Sequence, residues 1–157
     1  MKNQKGFSLI ELLIVVAIIL VISAIAIPSY MRSRIQANEA SAVSSLRMVN
    51  TAAITYSSTY VDVGFPANLP DMGGANPCTA ASTSACLIDD SLAQGTKSGY
   101  SIAWTGDGAT PSVAYTLTGT PLAVGSSGQR MYCTDQTGLV RYDPSGAGCT
   151  SASAAVQ

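Results

Sequence analysis

The sequence predicts an α+β fold, with one long N-terminal α-helix followed by a three- to four-stranded antiparallel sheet. Three observations predict it. An uncharged apolar run extends from Leu12 to Ile27, an apolar stripe with helical spacing follows it, and four short β-rich runs lie between turn residues in the C-terminal half. With 157 residues, 11% of them charged, and a net charge of -1, the chain has room for one domain with a modest core.

Counting from Phe7 to Ile27, the apolar segment is 21 residues long and Glu11 is its only ionisable side chain. As a helix it would reach ~31 Å, about the hydrocarbon thickness of a bilayer. Lys2 and Lys5 stand before it, so the positive-inside rule keeps the N-terminus cytoplasmic and sends the chain after Pro28 across the membrane. Arg32 and Arg34, on the far side, oppose that orientation only weakly. Beyond Pro28, the residues Met31, Ile35, Ala42, Leu46, Val49, Ala53, Tyr56 and Tyr60 recur at threes, fours and sevens, which is one face of a helix. The polar residues between them, including Arg32, Glu39, Ser45, Arg47 and Asn50, are assigned to the opposite, outward face. A helix from Phe7 to about Tyr60 would be ~81 Å long, so only its second half can pack on a small head. Pro28 lacks an amide hydrogen and crowds the preceding turn, which predicts a kink or local melting.

Residues 61–97 read as a long connection, because Gly64, Pro66, Pro70, Gly73, Gly74 and Pro77 interrupt a stretch poor in periodic apolar positions. Strands are expected over 98–105, 112–119, 129–135 and 138–143, with Tyr100, Ile102 and Trp104, and then Val113, Tyr115 and Leu117, alternating towards the helix. Asp135 to Gly138 supplies the last hairpin connection. The Ser/Ala-rich tail after Cys149 is expected to be mobile.

Composition excludes several function classes. There is no histidine, which removes the commonest neutral-pH general base and the commonest zinc partner. The eight cations are scattered, so no basic stripe indicates nucleic acid as a ligand. No phosphate-binding loop is present. No catalytic constellation emerges, and the chain is read as a non-enzyme.

The stretch Lys5-Gly6-Phe7-Ser8-Leu9-Ile10-Glu11, with its short basic leader, the apolar helix and Pro28, resembles the type IV pilin and type II secretion pseudopilin superfamily. The resemblance is carried by residues 1 to about 60. It implies that residues 1–6 are a leader ending at Gly6, where a prepilin peptidase cuts. It further implies that Phe7 becomes the N-methylated first residue, Glu11 docks the subunit during assembly, and Pro28 kinks the helix. An apolar helix over 7–28 would then be transmembrane and later form the filament core. Residues 29–60 would be its amphipathic half, 61–97 the connection, and 98–157 the sheet and C-terminal disulfide region, with 29–157 as the head. Ala24-Ile25-Ala26 also fits a secretory cleavage signature. The apolar region is too long for that alternative, however, and it carries an acid.

Cutting after Gly6 would create an α-amine one turn before Glu11. In its own helix that amine points away along the axis, but a neighbouring helix shifted by about one turn could bring its amine to Glu11. The four cysteines allow three pairings, which spacing alone does not resolve. An extracytoplasmic head favours oxidation, and the local pairs Cys78 with Cys86 and Cys133 with Cys149 are the expectation. The second pair resembles the C-terminal disulfide loop of many pilins. Zinc held by four cysteines is disfavoured because no C-x-x-C pair occurs.

The function implied by the resemblance is a structural subunit that polymerises into a type IV pilus for adhesion, motility or DNA uptake. A type II secretion pseudopilin is the nearest alternative, and a secreted or anchored binding domain that never polymerises is the third. The implied partners are further copies of the chain in a helical filament, the prepilin peptidase/N-methyltransferase, an inner-membrane assembly platform with a cytoplasmic ATPase, and an outer-membrane secretin. The implied localisation is the bacterial inner membrane, as a single-pass precursor with a periplasmic head, and then the extracellular pilus. No cofactor is expected. Calcium is the one candidate raised by the resemblance, through Asp89, Asp90, Asp107, Asp135 and Asp143, but no EF-hand spacing is present and turn formation accounts for each acid.

Overall fold

The computed structural model describes residues 7–74, 77–146 and 148–156. The chain divides into two units that meet in sequence between Arg34 and Ile35. Helix α1 runs Leu9–Thr59, 51 residues, within two residues of the expected start and one of the expected end. Pro28 lies inside α1, and the chain is helical on both sides of it, so no melted turn occurs there.

In the first unit every large apolar side chain of the helix is solvent-facing, from Leu9 at 78% exposed to Ile25 at 73%. In the second unit, Ala42, Leu46, Val49, Ala53 and Tyr56 are buried at alternating spacings of four and three, which lines one side of the helix. The stripe read from the sequence begins too early, because Met31 is 47% exposed and burial starts at Ala42. Periodicity records which side chains share a face; it does not record how far along the helix a packing partner extends.

The sheet has six strands in the order β1-β2-β3-β4-β5-β6, every neighbouring pair antiparallel. These are β1 Thr96–Lys97, β2 Tyr100–Gly106, β3 Tyr115–Pro121, β4 Met131–Asp135, β5 Arg141–Asp143 and β6 Ala154–Ala155. The expected meander of three to four strands is therefore extended by a two-residue strand at each edge. The described tail, residues 150–156, is paired with the sheet rather than mobile. Ala154 and Ala155 pair with Tyr142 and Arg141, and the amide of Val156 donates to Val140 O at 2.8 Å. Period-2 alternation is too short a signal to reveal two-residue strands, because only the existing edge of β5 makes such pairing available.

Tyr100 and Ile102 of β2 and Tyr115 and Leu117 of β3 are buried in alternation along their strands, whereas in β4 the consecutive residues Tyr132, Cys133 and Thr134 are all buried. Val113, expected to continue that pattern, is 70% exposed and lies before β3. The chain from Asp107 to Ala114 is instead a loop gathered around one carboxylate, with Asp107 Oδ2 accepting from the amides of Val113 and Ala114 at 3.0 and 3.1 Å.

Asn50, assigned from sequence to the outward face, is 5% exposed, and Ser45 is 3% exposed. The Asn50 amide group donates to Thr134 Oγ1 at 2.9 Å, and its oxygen accepts from the Tyr115 hydroxyl at 3.0 Å. Helix, β3 and β4 are thereby joined by a satisfied buried polar set, which fixes helix against sheet as apolar contacts alone would not. The connection 61–97 is also more structured than expected. It holds a 3₁₀ turn at Leu69–Met72, a short helix α2 at Asp90–Ala93, and strand β1. Leu69, Met72 and Leu92 are buried in the core, which orders the segment despite its glycines and prolines.

Candidate functional site

The residues singled out by the sequence fall at the start of α1 and at the two cysteine pairs. Gly6 and the rest of residues 1–6 lie outside the described residues, while Phe7 is described and 80% exposed. Ser8 stands immediately before Leu9, the first helical residue, and its carbonyl accepts from the Leu12 amide at 3.3 Å. The Glu11 side chain turns back, and its Oε2 accepts from the Ser8 amide at 3.0 Å. This is the return half of a capping box, written in the sequence as Ser8-Leu9-Ile10-Glu11. S-x-x-E before an apolar run is a readable helix-start signal, passed over when Glu11 is read only as an acid inside an apolar segment. The acid thus satisfies one of the orphan donors of its own helix and sits where the helix dipole favours negative charge.

From this capped start the helix presents an unbroken apolar surface. Its most apolar 18 residues have a mean hydropathy of 3.1, none of them buried, and the helix is long and apolar enough to cross a membrane. Each buried Leu, Ile or Val side chain is worth ~1.5–3 kcal/mol, so a helix with this many exposed in water is unfavourable by a large multiple of that.

The disulfides are Cys78–Cys86, with Cα atoms 6.1 Å apart, and Cys133–Cys149, 5.7 Å apart. The first closes a loop beside the 3₁₀ turn, where Cys86 N donates to Gly73 O at 2.9 Å. The second ties β4 to the segment that follows β5, so that the chain end is held to the sheet covalently as well as through β6.

The loop acids have local work. The Ser112 hydroxyl, followed by the Val113 and Ala109 amides, holds the Asp107 carboxyl down at about 2. Asp89 is likewise lowered to about 2, first by Lys97, whose Nζ lies 2.7 Å away, and then by the Leu92 amide it caps. Asp135 is lowered chiefly by Thr137. Asp90 is an exposed residue in the first turn of α2. Among the described residues, no three acids or cysteines converge as a metal would require.

Residues 1–27 match the family described as the prokaryotic N-terminal methylation motif. A "Fimbrial protein" of Pseudomonas aeruginosa is 53% identical over 53 residues, which is 34% of this chain and 34% of that protein. The "Type IV wide pilus major component PilA4" of Thermus thermophilus is 54% identical over 39 residues, 25% of this chain and 30% of that protein. The chain thus spans about a third of the length of the curated relatives it matches. No solved structure matches significantly. A long N-terminal helix, its apolar first part within a methylation motif, followed by an antiparallel sheet is consistent with the type IV pilin fold.

Proposed function

We propose that this chain is a structural subunit of a type IV pilus, made as a membrane-anchored precursor and polymerised through its N-terminal helix. The observation that carries the reading is the exposed apolar first part of the helix, which lies within the methylation motif matched over residues 1–27, in a chain 53% identical to a fimbrial protein over 53 residues. Before assembly the helix is covered by lipid; afterwards it is covered by the helices of other copies.

Processing accounts for the charge at its start. A cut between Gly6 and Phe7 removes Lys2 and Lys5, which could not follow the helix into an apolar filament core, and leaves an amine on Phe7. Glu11 begins with the Ser8 amide of its own chain as partner. In the polymer the amine of a neighbouring copy pairs with the same carboxylate, since an unpaired charge in apolar surroundings costs several kcal/mol. The head, on the periplasmic side, provides the outer surface of the pilus. Energy for extraction from the membrane comes from a separate cytoplasmic ATPase on the assembly platform, and the filament leaves through a secretin. The chain itself performs no catalysis and needs no cofactor.

The test is an intact mass, with an N-terminal fragment spectrum, of protein sheared from the cell surface. The expected chain starts at Phe7, is heavier by one methyl group, and is lighter by two hydrogens for each disulfide. A chain starting at Met1 or Ile27 would end the pilus reading. A processed chain confined to the membrane would move it to a secretion machine.

A further inference from the structure

The second unit carries a groove of about 460 Å³ beside α1 whose chemistry the helix-driven assembly leaves unused. Val43 on the helix and Val156 at the chain end give it apolar lining, and Gln36 and Ser44 are polar groups along the helix side. Its cations are Arg47 from α1 and Arg130, which immediately precedes β4, and its acid is Glu39. The Glu39 carboxylate is committed internally: Oε1 accepts from the amides of Gln129 and Arg130 at 2.9 and 3.2 Å, and Oε2 from the Tyr132 hydroxyl at 3.3 Å. Arg130 lies over the Tyr142 ring at 5.2 Å and 3.9 Å from Glu39. Arg47 is exposed and its guanidinium has no hydrogen bond or ion pair among the described residues. The groove therefore mixes apolar and polar lining and carries one guanidinium, that of Arg47, which no acid among the described residues compensates.

The matching surface is on the same chain. Val61 and Asp62, in the turn after α1, place a 71% exposed apolar side chain beside an exposed carboxylate that is likewise unpartnered among the described residues. Asp90, the other exposed acid without a side-chain partner among the described residues, has no exposed large apolar neighbour. The groove and the Val61–Asp62 turn cannot meet within one copy. Thr59, the last helical residue, is twelve positions past Arg47, ~18 Å along the axis at 1.5 Å per residue.

We propose that the groove at Arg47 and Arg130 receives the Val61–Asp62 turn of a second copy displaced along the helix axis by on the order of 20 Å. The contact joins two different patches. It is therefore heterologous, and repeated by a rotation that does not close it generates an open-ended helical assembly. It rests on the pilus reading and adds to it a head-to-head contact that fixes the axial step between copies, which an apolar helix bundle alone specifies weakly. Like charges brought together at such a contact oppose it, which makes charge reversal a sensitive probe.

The experiment measures sheared pili from cells making the full chain with Arg47→Glu, with Asp62→Arg, or with both. Each single reversal should lower recovered pili by about tenfold or more, and the double reversal should restore them to within about threefold of wild type. Membrane-fraction mass spectrometry, reading processing at Phe7 and oxidation of all four cysteines, identifies folded subunits. Should a reversal fail that check, Arg47→Gln, Asp62→Asn and their combination replace it. The combination should then be no worse than the worse single, since the second change has no contact left to remove. Folded singles that assemble normally, or a folded double that stays as deficient as the singles, would overturn the proposed contact. If wild-type chain yields no pili, the pilus reading fails and the contact falls with it.

Discussion

Asn50 shows how much a single polar residue can decide. In sequence it lies among serines and arginines and reads as surface, whereas in the fold its amide bridges the Thr134 and Tyr115 hydroxyls inside the core. Nothing local could have revealed this, because its partners are 84 and 65 positions away. Asn50→Ala leaves both hydroxyls short of a partner, at a cost of ~1–3 kcal/mol. Urea unfolding of the processed subunit in detergent should show a lowered midpoint, and an unchanged curve would mean that water replaces the amide without loss. Glu11 is the opposite case. A carboxylate in an apolar run stands out in one dimension, and its capping partner is only three positions away.

At the scale of elements, the long helix was legible to within two residues because 3.6-residue periodicity and a sustained apolar run are local properties. The ordered connection was not legible. Leu69, Met72 and Leu92 gain their burial from contacts with distant parts of the chain, and the bridge between Cys78 and Cys86 staples a segment whose own residues favour turns. The loop before β3 depends on Asp107, as the start of α2 depends on Asp89, and both carboxyls are held at about 2, below the usual 3.8. A depressed folded-state value contributes stability above the unfolded value and loses it as pH falls. The urea midpoint of the subunit should therefore decline between about pH 4 and pH 2. Both groups are exposed to solvent, so the decline is modest, and Asp107→Asn should flatten it. An equal slope in that variant would assign the acid sensitivity elsewhere.

For the whole molecule, the two units answer to different surroundings. The second has its own buried core, whereas none of the described residues of the first is buried. Glu11→Ala should be processed and inserted normally, since it removes a charge from an apolar helix, yet yield at least about tenfold fewer pili if the cross-chain ion pair is worth more than ~1.4 kcal/mol. Normal piliation of that variant would remove the pairing. What the sequence determined by itself was the N-terminal half: the span, its acid and the helical stripe, all written in near neighbours and readable without knowledge of the rest. The tertiary structure decided how far along the helix the packed face extends, that Asn50 and Ser45 lie inside, that the tail forms a sixth strand, and which cysteines join. Those outcomes depend on residues far apart in sequence competing for the same space, and no local pattern encodes the result of that competition.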